Sequence, residues 1–170
     1  GLVLVKALHS MQSKIQEKGF EVVVFGAHQV TKDYITMNNL SYKVFSRHGL
    51  AHQDLLQLMG KSLLYLGNSI SDGMPNTLLE AIIMGAFPIQ SNPGNVTAEI
   101  ITEGENGFLI ENPNDDNAIS NLIIKVLQQP EWLQKAFEIN QKIAKERLDY
   151  AVNQQKIVAL YHQIENDTCE

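Results

Sequence analysis

The sequence predicts an α/β domain built on a doubly wound parallel sheet. Three observations carry that expectation: continuous apolar runs of strand length, stretches of helical periodicity between them, and Gly, Pro and Asn signals at the junctions. Runs that are apolar from end to end suit strands covered on both faces, and their alternation with helices implies right-handed crossovers.

A first helix is expected over residues 2–18, where Leu4, Leu8, Met11 and Ile15 recur at helical spacing and Gly19 stands just past the end. EVVVFG follows, and its apolar run at 22–25, closed by Gly26, reads as a buried strand. A second strand is expected at 42–45, a helix over 52–61 and a third strand at 63–66. The stretch SDGMPNTLLEAIIMGAFPIQSN then runs from a turn into a helix over 77–84 and a strand at 87–90, and GFLI supplies another strand at 107–110. Asn114, Asp115 and Asp116 offer caps for a helix reaching Gln128, which Pro130 stops. Two last helices, over 131–146 and 149–165, carry Leu133, Phe137, Ile157, Leu160, Tyr161 and Ile164 as apolar contacts.

At 170 residues and 44% hydrophobic content the chain suffices for one ordinary domain. Lys and Arg total 13 against 19 Asp and Glu, so the net charge of −6 offers no electrostatic footprint for nucleic acid or an anionic membrane. Cys169 is the sole cysteine, which excludes an intrachain disulfide and fits a reducing, cytoplasmic compartment. Glu80, Gly85 and Pro88 interrupt the richest apolar stretch well short of the roughly 20 residues a membrane span requires. The chain opens on Gly1 inside a helical pattern with no cap, and is expected to be a piece of something longer.

The chemistry concentrates at the turn before the helix over 77–84, on the strand-end edge where α/β sheets bind ligands. Gly73 brings no Cβ to keep a ligand from the backbone. The free N–H groups near Asn76, Thr77 and Leu78, with the helix dipole behind them, suit a phosphate or diphosphate. A structural alternative stands beside this. Thr77-Leu78-Leu79-Glu80 matches a capping box, in which Glu80 merely closes the helix start, Pro75 stiffens the approach, and Ser71 and Asp72 are loop residues. His48 and His52 have i,i+4 spacing, but no third metal ligand accompanies them, and solvated imidazoles at a helix start are the simpler reading.

The stretch Asp72-Gly73-Met74-Pro75-Asn76-Thr77-Leu78-Leu79-Glu80-Ala81, followed by Gly85-Ala86-Phe87-Pro88-Ile89, resembles the E-G-x-P-N-x-x-L-E-A signature and G-x-P-V-I strand of retaining, nucleotide-sugar-dependent glycosyltransferases with the GT-B fold, family 4 or group 1. Glu99-Ile100-Ile101, then Glu105-Asn106-Gly107-Phe108-Leu109-Ile110 and Pro113-Asn114-Asp115, are similar to that family's downstream motifs. The resemblance implies a Rossmann-like C-terminal, donor-binding half of a GT-B enzyme, with a nucleotide diphosphate-sugar as donor, a hydroxyl acceptor and no metal or other cofactor. It implies that Glu80 binds the ribose hydroxyls, that backbone N–H groups near Thr77 and Leu78 cradle the diphosphate, and that Asp72 and Gly73 face the transferred sugar, with Met74, Pro75 and Asn76 completing the turn.

Two departures from the family pattern accompany the resemblance. Its first acidic position is usually glutamate, where this chain has the shorter Asp72, and its diphosphate-neutralising Arg and Lys come from a first strand and loop upstream of the first helix. That strand and the N-terminal acceptor domain are expected to lie outside this chain, and any peripheral membrane contact would be made through that absent half. Ser46 and Arg47 follow a strand on the ligand edge, where a contact beside the base and a plain surface loop are both open. A nucleotide-sugar epimerase of the same fold and a non-catalytic nucleotide-binding module remain as alternatives.

Overall fold

The computed structural model describes residues 1–167, and Cys169 lies outside them. The expected first helix divides at Met11, whose φ of −112° leaves the helical region, into α1 (Leu2–Ser10) and α2 (Gln12–Glu17). Ser10 accounts for the break. Its hydroxyl donates to the Ala7 carbonyl at 2.7 Å, the acceptor Met11 would use in a regular helix, and the Met11 N–H turns to Leu8 instead. Gly19 ends α2 at a φ of +67°, the left-handed position that its lack of a Cβ permits.

Between β1 (Val23–Phe25) and β2 (Lys43–Phe45) lies α3 (Gln29–Met37), which the sequence pattern does not announce. Its buried stripe is only Thr31 and Ile35, while Val30 and Met37 face solvent, so the helical period is too thin to read. The expected alternation then follows: α4 (His52–Lys61), β3 (Leu64–Gly67), α5 (Asn76–Met84), β4 (Phe87–Ser91) and β5 (Phe108–Ile110). Asp115 caps α6 (Asp116–Gln128) by accepting the Ala118 N–H at 2.9 Å, and Pro130 separates α6 from α7 (Glu131–Ile143). A π turn, Ala144–Leu148, leads to α8 (Tyr150–Asp167).

Every strand pairing is parallel, with Val23 opposite Lys43, Leu64 opposite Phe87 and Ile89 opposite Phe108. Helices cover both faces, as in a Rossmann-like domain. On one side Ala7, Met11 and Ile15 pack with Ile119, Ile123 and Val126 against Phe87, Ile89, Phe108 and Ile110; on the other, Met59, Leu78, Ala81 and Ile82 pack on Tyr65. The strands form two hydrogen-bonded ladders, β1-β2 and β3-β4-β5, rather than one continuous sheet. Val22, Leu64 and Leu66 nevertheless share an apolar cluster with Ala7 and Met11, so the first helices lie over both ladders.

A pair of buried amides fastens α7 to the turn before β5. Asn106 Nδ2 donates to Asn140 Oδ1 at 2.8 Å and to the Ile100 carbonyl at 2.9 Å, while Asn140 Nδ2 donates to the Asn106 carbonyl at 3.0 Å. Asn106 Oδ1 accepts the Thr102 N–H at 2.7 Å, so the network is satisfied although both asparagines are 1% exposed. Nearby, Arg147 Nη1 donates to the Glu99 carbonyl at 2.8 Å.

The apolar residues of the last helix are largely uncovered. Ile157, Leu160, Tyr161 and Ile164 are each at least half exposed, because α8 rests chiefly on the Ala144–Leu148 turn. Phe137 of α7 is also partly exposed, whereas Leu133 joins the core. No helix among the described residues is long and apolar enough to cross a membrane.

Candidate functional site

The loop after β3 climbs from the carboxyl end of the sheet and turns into α5 at Pro75, whose φ of −69° and ψ of 120° set the approach without any side-chain cap. Pro75 is buried and Met74 packs against the cluster around Leu78, which anchors the turn from below. Ser71, Asp72, Gly73 and Asn76 stay exposed above it. A Cβ at Gly73 would meet no atom within 4 Å, and its φ lies outside the left-handed range, so nothing in the protein requires glycine there.

The helix start differs from a capping box. α5 begins at Asn76, one residue earlier than the sequence spacing suggests, and neither Thr77 nor Glu80 caps it. Thr77 Oγ1 instead shares a hydrogen bond with the Tyr65 hydroxyl at 2.8 Å, which ties the first turn of α5 to β3. Glu80 Oε1 accepts from His52 Nε2, also at 2.8 Å. The Asn76 and Thr77 N–H groups find no acceptor among the described residues. The Leu78 N–H bonds the Pro75 carbonyl at 3.0 Å and the residue is wholly buried, so the open donors are those of the two residues before it.

Burial pushes the Tyr65 hydroxyl above its ordinary value of 10.0; the bond to Thr77 works against that rise, and the Asp72 and Glu80 carboxylates add to it. Tyr65 thus lies within electrostatic reach of both acidic residues of the motif. Asp72 itself has no hydrogen bond or ion pair among the described residues. The site is therefore a helix N-terminus with two open donors, one unpartnered carboxylate before it and one anchored carboxylate behind. That arrangement can bind an anion and accept hydrogen bonds from hydroxyls on either side.

Ser46 and Arg47 occupy an exposed turn after β2, closed by the Gly49 N–H donating to the Ser46 carbonyl at 2.9 Å. Arg47 has no ion pair or hydrogen bond among the described residues. The turn runs directly into α4, whose first residue is His52, so it joins the same edge as Glu80. His52, read from sequence as a solvated helix-start imidazole, is the contact that local spacing misses, because its partner lies in another element.

A cleft of about 530 Å³ opens beyond the turn, at the carboxyl ends of β3, β4 and β5, and its walls include Ser69, Ser91, Asn92, Asn95, Glu103 and Glu111. Burial raises the Glu103 carboxyl above its usual 4.5, and the Leu109 N–H, donating at 2.6 Å, opposes that rise. The Gly, Pro and Asn residues around 92–95 signal a loop in the sequence, but only the folded chain shows that it borders a cleft.

Solved structures share this architecture. Alr3699/HepE of Anabaena, in complex with UDP-glucose, matches with a TM-score of 0.74 at 22% identity over 94% of this chain and 44% of that one. The pneumococcal O-GlcNAc transferase GtfA, with UDP and GlcNAc, matches with a TM-score of 0.75 at 20% identity over 94% of this chain and 32% of that one. The C-terminal domain of LpcC, a glycosyl transferase group 1 family protein of Francisella tularensis, matches at 0.73 and 16% identity, over 88% of this chain and 79% of that domain. At these identities the likeness is one of fold. The chain spans less than half the length of HepE. No curated protein sequence matches it significantly. The sequence itself is more decisive: the family model described as glycosyl transferases group 1 matches residues 2–147, and the chain belongs to that family.

Proposed function

We propose that this chain is the C-terminal, donor-binding half of a family 4 glycosyltransferase, which moves a sugar from a nucleoside diphosphate to a hydroxyl acceptor with retention at the anomeric carbon. The observation that carries the reading is the start of α5, where the Asn76 and Thr77 N–H groups stand open between the Asp72 and Glu80 carboxylates. The diphosphate lies on those donors, Glu80 accepts from the ribose hydroxyls, and Asp72 faces the sugar across Gly73. In the reaction the bond from the sugar to the diphosphate breaks with its electron pair left on phosphate. The acceptor oxygen bonds the anomeric carbon and its proton passes to the departing diphosphate. The helix N-terminus favours that step because its donors already face the oxygen on which charge builds. The UDP complexes of HepE and GtfA support the choice of a nucleotide donor.

The separate ladders fit the same proposal. A parallel strand between β1 and β3 would join them into one sheet, and a strand preceding α1 in a longer polypeptide reaches that position by a right-handed crossover. Such a strand and its following loop would bring the Arg and Lys that meet the diphosphate charge without a metal.

The test is Glu80→Gln in the full-length protein, titrated calorimetrically with UDP, GDP and ADP. Loss of a hydrogen bond to a charged group weakens the cognate diphosphate by about 1.5–3 kcal/mol. The melting temperature should barely move, since Glu80 does not cap α5. Unchanged affinity would overturn the reading.

A further inference from the structure

Glu80 is held by a residue from outside its own helix. His52 Nε2 donates to Glu80 Oε1 at 2.8 Å, and this is its only hydrogen bond among the described residues. The other oxygen, Oε2, has no partner among the described residues, and the Glu80 side chain is 25% exposed against 66% for His52. The imidazole therefore approaches from the solvent side and leaves one carboxylate oxygen uncommitted.

A glutamate has three rotatable bonds between its backbone and its carboxylate, and recognition of a vicinal diol requires the carboxylate to lie in one plane. Freezing those bonds at the moment of binding costs affinity, and a bond made beforehand removes that cost. His52 makes such a bond from a fixed place, because it is the first residue of α4 and α4 packs against α5 through Met59, Leu78 and Ala81. The turn that leads to His52 also carries Arg47, so an exposed cation stands on the segment from which the imidazole comes.

We infer that His52 is a positioning residue for the nucleotide ribose: it fixes the Glu80 carboxylate so that Oε2 meets the vicinal hydroxyls, and it sets how strongly the site prefers ribose to deoxyribose. The inference rests on the role given to Glu80 above. It assigns His52 no contact with the ligand.

The experiment uses the full-length protein and two probes, whichever of UDP, GDP or ADP binds most tightly and its 2′-deoxy counterpart, measured by calorimetry with thermal melts alongside. His52→Ala should weaken the ribonucleotide about tenfold, the worth of one well-placed hydrogen bond. The deoxy compound should lose much less, so the preference for ribose shrinks. His52→Gln places an amide N–H near the same point and should restore most of that preference. An equal loss for both probes, no loss, or tighter binding in His52→Ala would overturn the inference; the last would mean that the imidazole competes with the ligand. If Glu80→Gln abolishes the ribose preference while His52→Ala leaves it intact, the role of Glu80 survives and that of His52 falls. If no diphosphate binds the wild type, or Glu80→Gln keeps the full preference, both fall together.

Discussion

Asp72 and Gly73 are residues the fold does not need. One is an exposed carboxylate without a partner among the described residues, and the other is a glycine in open space outside the left-handed φ range. Residues idle in the fold are free to serve a ligand, so Asp72→Asn, which keeps the size and removes the charge, should lower kcat and kcat/KM together while affinity for the free nucleoside diphosphate stays unchanged. Asp72→Glu should retain activity if charge matters more than reach, and steady-state kinetics of the three forms decide it. Wild-type turnover in the asparagine variant would reduce Asp72 to a turn residue. Both acidic residues were legible in the sequence, but not what holds Glu80. Local spacing paired Glu80 with Thr77, whereas folding pairs it with His52 and sends Thr77 to Tyr65. A capping pattern records only neighbours along the chain, and these partners arrive from other elements.

Among the elements, α6 was the most legible, because its cap is local: Asp115 accepts the Ala118 N–H and Pro130 follows the end. The break at Met11 was hidden because one serine hydroxyl outweighs an otherwise continuous apolar period. The hold of α7 on the turn before β5 was equally hidden. Asn106 stands out within its motif, but nothing along the helix distinguishes Asn140 as its partner. Asn140→Ala should therefore destabilise the domain by about 1–3 kcal/mol, since it leaves buried groups of Asn106 without partners. Urea unfolding followed by circular dichroism measures this. A loss below roughly 0.5 kcal/mol would show that the pair is dispensable.

For the molecule as a whole, the parallel α/β architecture was legible from the alternation of elements, but the division into two ladders was not, because strand pairing leaves no mark on a single strand. The exposed apolar residues of α8 have a consequence for solution behaviour. Tyr150, Ile157, Val158, Leu160 and Tyr161 are between 48% and 78% exposed, and apolar side chains uncovered on one helix favour association, so the isolated chain is expected to self-associate. Leu160→Glu together with Tyr161→Glu should reduce that association in sedimentation velocity without lowering the melting temperature. An unaltered sedimentation profile, or a large fall in stability, would show that these side chains serve the domain itself.

The amide pair also links the C-terminal helices to the cleft. The helix projects from the Ala144–Leu148 turn, and that turn is held by Arg147 on the Glu99 carbonyl, with Asn140 on Asn106 one helical turn further back. This run of bonds ends on the backbone between Glu99 and Asn106, the segment that carries Glu103 to the wall of the cleft. The seat of α8 and the wall of the cleft are therefore parts of one hydrogen-bonded segment at the carboxyl edge of the sheet.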